Sequence, residues 1–156
     1  KINYIGTDPS SKTIKGNKEL AKQFGNKNYS YTLHQCGSEE FEPDRNSLDF
    51  AFTSPPYFDT EQYSNEQTQS YLKFKSVLKW KSKFLRQTIK NVHRGLKQNK
   101  FMGLNVADVK NYSTFERDTI EIAEDIGFKY LDRFDYALGS QHDNFKTEPI
   151  FIFKKI

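Results

Sequence analysis

The sequence has one cysteine, Cys36, and contains no long apolar run. A single cysteine excludes an internal disulfide and favours a reducing compartment. No apolar stretch approaches the ~18 residues that a membrane span needs, and no signal peptide is visible, so we expect no membrane association. Repeats and low-complexity linkers are also missing, and 156 residues suit one domain spanning residues 1–156.

The chain has only a small excess of positive over negative charge. The chain carries 24 Lys and Arg residues against 20 Asp and Glu residues, a formal net charge of +4. This mild basicity is compatible with a nucleic-acid partner but does not require one, because ordinary soluble proteins carry similar charges.

Strand and helix patterns alternate along the chain, which predicts an α/β fold with a mostly parallel sheet. Helical spacing or helix signals mark residues 11–24, a long amphipathic segment from Val77 to Leu96, and a helix that Gly127 ends. The predicted strands are residues 2–6, 29–34, 48–52, 100–106, 128–136 and 149–153. We expect the last two strands to form an antiparallel pair at the edge.

The most informative segment is Thr53-Ser54-Pro55-Pro56-Tyr57, directly after the apolar strand 48–52. Ligand crevices of open α/β sheets lie at the carboxyl ends of strands. Consecutive prolines fix φ near about −65° and supply no N–H. Their carbonyl groups, and that of Ser54, are therefore rigid acceptors with few local donors. Such a row beside an aromatic ring suits a planar group with an amino donor, such as a nucleobase.

Ser54-Pro55-Pro56-Tyr57 resembles the catalytic motif of S-adenosylmethionine-dependent DNA amino-methyltransferases, which methylate the exocyclic nitrogen of cytosine or adenine. Similarity continues through Phe58-Asp59, Tyr63-Ser64, Tyr71, residues 104–109 and Lys146-Thr147-Glu148-Pro149. The resemblance implies a Rossmann-like class I methyltransferase sheet with an antiparallel edge strand. It also implies a cytoplasmic restriction-modification enzyme of bacterial, archaeal or phage type that acts on double-stranded DNA with a flipped base.

Within this resemblance, Ser54, Pro55, Pro56 and Tyr57 are the expected catalytic residues. The amine would donate to the Ser54 side chain and the Pro55 carbonyl, while Tyr57, expected on the crevice rim, would stack on the base. A serine at the first position favours cytosine over adenine without fixing the choice.

Three further residues, Phe58, Asn105 and Asp108, are expected to contact the substrate. Asn105 and Asp108 follow their strand on the same rim as Ser54, and a loop-capping pair is the alternative interpretation for them.

Asp8 is the first candidate for the cofactor, S-adenosylmethionine. It follows the first strand and precedes a helix, where a carboxylate can accept hydrogen bonds from two ribose hydroxyls. The alternative is a simple helix N-cap. Gly37 and Ser38 follow the second strand, where the family places Gly-Asp near the adenine. Ser38 stands where the acid is expected, and Glu39 or Glu40 could replace it.

The family's glycine-rich cofactor motif has no counterpart here. The resemblance therefore covers the later part of the catalytic domain, and the missing N-terminal strand would lie centrally, between strands 2–6 and 48–52. We expect a preceding segment or a completing subunit to supply it, and the chain alone to be inactive. The alternatives are an RNA-base or protein-glutamine amino-methyltransferase, or an inactive or split domain that binds nucleic acid or a partner subunit.

A basic, aromatic-rich segment precedes and opens the long helix. It could contact phosphates, or it could be a solvated face whose aromatic residues lie in the core. Its basic residues are Lys73, Lys75, Lys79, Lys81, Lys83 and Arg86, interleaved with Tyr71, Phe74 and Trp80.

Overall fold

The structure is a computed structural model that describes residues 2–25, 28–137 and 147–156, with no side-chain description for Tyr136 and Ala137. Lys1 and Lys146 lie outside the described residues. The strands are β1 (Ile2–Thr7), β2 (Tyr29–His34), β3 (Leu48–Thr53), β4 (Leu96–Asn105), β5 (Phe128–Ala137) and β6 (Thr147–Lys155). The helices are α1 (Ser11–Phe24), α2 (Ser70–Lys73), α3 (Val77–Trp80), a π-helical turn (Lys81–Leu85), α4 (Arg86–Gly95) and α5 (Phe115–Ile126).

The strands form two hydrogen-bonded groups. In the first, β1 and β2 are parallel, with Ile2 opposite Tyr29 and Thr7 opposite His34. In the second, the order is β3-β4-β6-β5, in which β3 and β4 are parallel and β6 is antiparallel to both of its neighbours. This arrangement confirms the predicted α/β class and the antiparallel pair at the edge.

The long predicted helix is interrupted. Five residues of π-helix separate α3 from α4, and Leu96 opens β4 instead of ending the helix as predicted. π-Helical turns are rare and often occur at functional sites. Here the turn contains two buried side chains, Phe84 and Leu85, and Phe84 also lines the cavity described below.

The core centres on Trp80, whose side chain is fully buried. Its ring centroid lies 4.9 Å from that of Phe84, 5.6 Å from that of Phe115 and 6.1 Å from that of Tyr112. The indole N–H donates to the Ser70 hydroxyl at 3.0 Å, so the polar atom of the ring is satisfied. The cluster packs against inward side chains of β4 and β6, and this side of the sheet is therefore covered.

The opposite side of β3 is uncovered. Phe50 and Phe52 alternate along the strand and are 58% and 56% exposed, and Ile2 and Tyr4 on β1 are similarly open. β1 and β3 each have one edge that no strand of the described residues pairs with. Parallel sheets are normally covered on both faces, so these edges and side chains mark surface that a further element would cover. None of the described helices combines the length and apolarity needed to cross a membrane.

Candidate active site

The carboxyl ends of β1 and β3 open onto one cavity of about 360 Å³, a volume within the range of small-molecule sites. We call it the rim cavity. Six predicted site residues line it: Asp8, Gly37, Ser38, Ser54, Pro55 and Pro56. The other lining residues are Thr7, Pro9, Ser10, Thr13, Glu39, Thr53, Tyr63, Thr68, Gln69, Ser70 and Phe84.

Asp8 lies in the turn between β1 and α1. Its Oδ1 atom accepts a hydrogen bond from the Ser10 amide at 2.7 Å. The helix N-cap is Ser10, whose hydroxyl accepts from the Thr13 amide at 3.3 Å, so the N-cap alternative for Asp8 is wrong. Burial raises the pKa of Asp8, partly offset by the Ser10 amide, and the nearby Glu66 charge raises it further. Among the described residues, the second carboxylate oxygen has no hydrogen-bond partner.

The loop after the Pro-Pro segment fixes the start of α1 against the rim. The Glu66 carboxylate accepts a hydrogen bond from the Ser11 hydroxyl at 2.6 Å, which holds the pKa of Glu66 below its usual range. The Thr68 hydroxyl donates to the Pro9 carbonyl at 3.2 Å. These contacts, between residues more than fifty positions apart, place Asp8 beside the segment that follows β3.

Residues 37–40 are held by the long helical segment. The Asn91 side chain donates to the carbonyl oxygens of Ser38 and Glu39 at 3.2 and 3.0 Å, and the Ser38 and Thr88 hydroxyls are 2.8 Å apart. A Cβ at Gly37 would lie 2.1 Å from Glu39 Oε2, so a side chain there would require the Glu39 carboxylate to shift. The segment is therefore fixed through two backbone carbonyls and through the Ser38 side chain.

Two buried polar atoms of the rim cavity have no partner among the described residues: Oε2 of Glu39 and Nε2 of Gln69. The other Glu39 oxygen pairs with Lys73 at 2.7 Å, and Lys73 also pairs with Glu40 at 2.7 Å. Unsatisfied buried polar atoms are uncommon in native proteins and often mark a place where a ligand or water binds. The rim cavity thus offers one acceptor and one donor to a polar ligand. Sequence reasoning missed Gln69, because nothing in its neighbourhood marks it before the chain folds.

The Pro-Pro segment keeps some of its expected acceptors. The Phe58 amide donates to the Pro56 carbonyl at 3.0 Å, so that carbonyl is satisfied locally, contrary to expectation. The Pro55 carbonyl accepts no hydrogen bond from the described residues. Ser54 is exposed on the cavity side. The Ser54 side chain already hydrogen-bonds the Tyr57 hydroxyl. The acceptors that remain for a ligand are therefore the Pro55 carbonyl and the unused lone-pair capacity of the Ser54 oxygen.

Tyr57 does not lie on the rim, and that prediction is wrong. Its side chain is only 7% exposed and packs edge-on against Phe115, with ring centroids 5.5 Å apart. Its hydroxyl donates to Glu148 at 3.3 Å. Burial and the Glu148 charge raise the pKa of Tyr57 to about 12, so the phenol is neutral at physiological pH. The ring anchors the Pro-Pro segment to the core.

The three predicted substrate residues lie outside the lining of the rim cavity. Phe58, at a positive φ of 55°, is buried against Trp80 with ring centroids 6.2 Å apart. Asn105 donates to the Pro149 carbonyl at 3.0 Å. Asp108 and Glu116 exchange two hydrogen bonds, each between a backbone amide and a carboxylate, at 2.9 and 3.3 Å. The contacts of Asn105 and Asp108 match the loop-capping alternative.

Half of the predicted basic stripe is neutralised by carboxylates. Lys73 pairs with Glu39 and Glu40, Lys81 with Asp118 at 3.0 Å, and Arg86 with Asp125. Its remaining members, Lys75, Lys79 and Lys83, are exposed. The aromatic Trp80 belongs to the core. These contacts favour the interpretation as a solvated face.

No protein-family model and no curated protein matches the chain. Solved structures do. An S-adenosylmethionine-dependent methyltransferase from Methanosarcina mazei superposes with a TM-score of 0.60 at 14% identity, covering 99% of this chain and 92% of that one. A methyltransferase from Pyrococcus furiosus gives 0.63 at 13% identity, covering 97% and 61%.

A third similar structure is a candidate DNA modification methylase from Thermus thermophilus. Its TM-score is 0.56 at 16% identity, and the match covers 77% of this chain but 50% of that chain. At such low identities the similarity establishes the fold, because one fold can support many reactions. The chain therefore has the Rossmann-like fold of the S-adenosylmethionine-dependent methyltransferases.

Proposed function

We propose that this chain is the catalytic part of an S-adenosylmethionine-dependent methyltransferase that modifies the exocyclic amino group of cytosine or adenine in DNA. One observation carries the proposal. Ser54 and Pro55, which carry the candidate acceptors, line the same cavity as the carboxylate of Asp8. A methyl donor and an amine acceptor must meet in one place, and the rim cavity provides that place.

The residues of the rim cavity fit the cofactor's functional groups. Asp8 offers a carboxylate oxygen without a partner in the described residues, which suits the ribose hydroxyls. The orphaned Glu39 oxygen is a buried acceptor for the adenine amino group, and Gln69 supplies a buried donor. When bound, the cofactor supplies an electrophilic methyl group on a sulfonium sulfur.

Ser54 and Pro55 act on the amine. The lone pair of a base amine is delocalised into the ring, which makes the nitrogen a weak nucleophile. Two acceptors that receive hydrogen bonds from its N–H groups favour a pyramidal nitrogen. The lone pair of that nitrogen is then directed toward the methyl group. Such positioning can contribute several kcal/mol, up to about 7–11 in favourable systems. Because the amine is paired inside a duplex, the base must be flipped out to reach these acceptors.

Tyr57 contributes by positioning. Its buried ring fixes the peptide that carries the Ser54 and Pro55 acceptors, and its hydroxyl ties this peptide to Glu148. With 7% of the side chain exposed, stacking of a base on the ring would require the core around Phe115 to open. We therefore assign Tyr57 to the support of the site.

Within the residues that the structure describes, β1 and β3 each have an unpaired edge with which one further strand could form hydrogen bonds. Both strands end at the rim cavity, and each is parallel to its neighbour in its own group. A parallel strand placed between them must connect to β1 through a crossover of a dozen or more residues, usually a helix. We propose that a strand and helix preceding β1 in the same polypeptide fill this place, with the helix over Phe50 and Phe52.

A methyl-transfer assay tests the proposed function. The polypeptide that includes the proposed strand and helix before β1, called the intact polypeptide below, is incubated with labelled cofactor and unmethylated duplex DNA. The DNA is then digested to nucleosides. Label in N4-methylcytosine or N6-methyladenine is expected, with cytosine favoured by Ser54. The Ser54→Ala variant should lose about tenfold or more in kcat, the loss expected for one misplaced hydrogen bond in the transition state.

The matched control is Ser82→Ala, at an exposed serine of the π-helical turn whose hydroxyl donates to the Lys79 carbonyl. Its rate should be unchanged. If label appears in RNA or in a protein glutamine but not in DNA, the substrate is RNA or a protein instead of DNA. Absence of label from all three substrates would contradict the enzyme assignment.

A further inference from the structure

A second cavity lies on the opposite rim of the β3–β4–β6–β5 sheet. It has a volume of about 800 Å³ and shares no lining residue with the rim cavity. We call it the basic cleft. Its walls come from the segment before β3, the length of α4 and the end of β6, represented by Arg45, Lys90 and Lys155. The proposed methyl transfer makes no use of it.

Positive charge dominates the basic cleft. Five lining residues are Lys or Arg, and the lining has one carboxylate, Glu42. Glu42 pairs with Arg94, and Asp125 pairs with Arg86 from outside the lining. Within the described residues, Arg45, Lys90 and Lys155 have no carboxylate partner. Three positive charges therefore remain without a counter-charge.

Lys155 is the most informative of the three because it is only 9% exposed. Its ammonium donates to the Leu96 carbonyl at 2.7 Å and to the Asn46 side chain at 3.2 Å. An ammonium has three donors, so one remains. Burial, together with the charge of Arg45, lowers the pKa of Lys155. A buried cation held by neutral acceptors alone is costly, and an anion beside it would offset that cost.

One more buried nitrogen atom of the basic cleft lacks a partner. It is Nε of Arg94, which meets no hydrogen-bond partner in the described part of the chain. Together with Lys155, it adds unused hydrogen-bonding capacity where the uncompensated charge lies. Native proteins rarely bury such groups without a ligand or water to satisfy them.

We propose that the basic cleft binds a phosphate group. A phosphate brings up to two negative charges and several acceptor oxygens, which match the surplus charge and the free donors of Arg45, Lys90 and Lys155. The volume exceeds that of one phosphate and leaves room for the remainder of a larger ligand. The phosphate could belong to a small phosphorylated molecule or to a nucleic-acid backbone, since both present the same oxygens.

Binding of inorganic pyrophosphate to the full chain tests this proposal by calorimetry at low salt. Measurable binding is expected, and Arg45→Gln and Lys90→Gln should each weaken it about fivefold to tenfold, since each removes a charge-assisted contact. Both residues are exposed, so their replacement should leave the fold intact. Lys79→Gln is the matched control because Lys79 is exposed but lies outside the basic cleft. The affinity of this variant for pyrophosphate should equal that of the parent chain.

Absence of pyrophosphate binding, or equal binding by all three variants and the parent, would overturn the proposal. A second titration with a short DNA duplex identifies the source of the phosphate. Duplex binding weakened by the same two variants assigns the cleft to the nucleic-acid backbone. Pyrophosphate binding that the variants weaken, with duplex binding unchanged, assigns it to a small phosphorylated ligand.

Discussion

At the scale of single residues, the rim cavity is defined by atoms that lack partners. One oxygen of Asp8, one oxygen of Glu39 and the amide nitrogen of Gln69 are free in the described structure, although Glu39 and Gln69 are buried. Each costs folding free energy unless a ligand satisfies it. Their grouping in one cavity, next to the Ser54 and Pro55 acceptors, is the physical basis of the proposed site.

Replacing Asp8 by Asn should weaken cofactor binding by roughly 1–3 kcal/mol, because a neutral amide cannot make two charge-assisted hydrogen bonds to ribose hydroxyls. Calorimetry with S-adenosylmethionine and the intact polypeptide measures this loss. Asp44→Asn, at an exposed position outside the cavity, is the control. Equal affinities of parent and Asp8→Asn would remove Asp8 from the site.

Replacing Tyr57 should act first on stability. Tyr57→Ala opens a cavity against Phe115 and should cost about 3–5 kcal/mol in the free energy of unfolding, as for other buried aromatic residues. Tyr57→Phe removes only the hydroxyl contacts, chiefly that with Glu148, and should cost about 0.5–1.5 kcal/mol. Urea unfolding of both variants measures the difference. A Tyr57→Ala variant as stable as the parent would contradict the anchoring role.

At the scale of secondary-structure elements, glycine plays different roles in α1 and α5. One glycine ends α5, and another lies inside α1. Gly127 ends α5 with a φ of 113°, in the left-handed region that favours glycine. Gly16 lies inside α1 with no atom within 4 Å of the position that a Cβ would occupy. The same substitution should therefore have opposite effects at the two positions.

Gly127→Ala should destabilise the protein by about 1–2 kcal/mol, from backbone strain and a 3.1 Å approach to His93. Gly16→Ala should stabilise it by about 0.5–1 kcal/mol, because alanine favours the helix. Urea titration of the two variants against the parent provides the measurement. Effects of the same sign would show that one of these backbone assignments is wrong.

The elements were largely predictable from the sequence, because strong local signals mark them. The bounds of α1, β2 and α5 match the prediction, since Ser10 caps α1 and Gly127 ends α5. The π-helical turn was not predictable, because its residues fit ordinary helical spacing. The early start of β4 also escaped prediction, since Leu96 continues the apolar pattern of the helix and then pairs with Leu48.

The site was predictable only in part, and burial explains the difference. Asp8, Gly37, Ser38, Ser54, Pro55 and Pro56 follow strand ends, a position that sequence spacing reveals, and they share one cavity. Whether an aromatic side chain after the prolines faces the cavity or the core depends on distant residues such as Phe115. The sequence therefore predicts the Tyr57 ring on the rim, whereas it lies in the core. Gln69 becomes buried only through the packing of its loop.

At the scale of the whole molecule, the uncovered apolar surface and the two unpaired strand edges belong together. Exposed side chains on β3 and β1 lie beside the edges that no described strand pairs with. A single strand-and-helix segment would pair both edges and cover this surface. It would also close the open side of the rim cavity at the carboxyl ends of β1 and β3.

Phe50→Ser tests whether such a segment covers β3. In the 156-residue chain, where Phe50 is exposed, the change should alter the free energy of unfolding by less than about 0.5 kcal/mol. In the intact polypeptide it should cost about 3–5 kcal/mol, as expected for a buried phenylalanine. Leu78→Ser, at an exposed helical position, should be nearly neutral in both. Equal effects of Phe50→Ser in the two proteins would contradict the covering segment.

The most direct test of the central claim is to map where S-adenosylmethionine binds, by following backbone amide resonances of the intact polypeptide during a titration. The claim predicts that the largest shifts occur at residues 7, 8, 10, 13, 37–39, 53–54 and 68–70, which line the rim cavity. Amides around Arg45 and Lys90 in the basic cleft should stay unchanged. A saturating titration that shifts only amides outside the rim cavity, or shifts none, would contradict the claim that the carboxyl ends of β1 and β3 form a methyltransferase site.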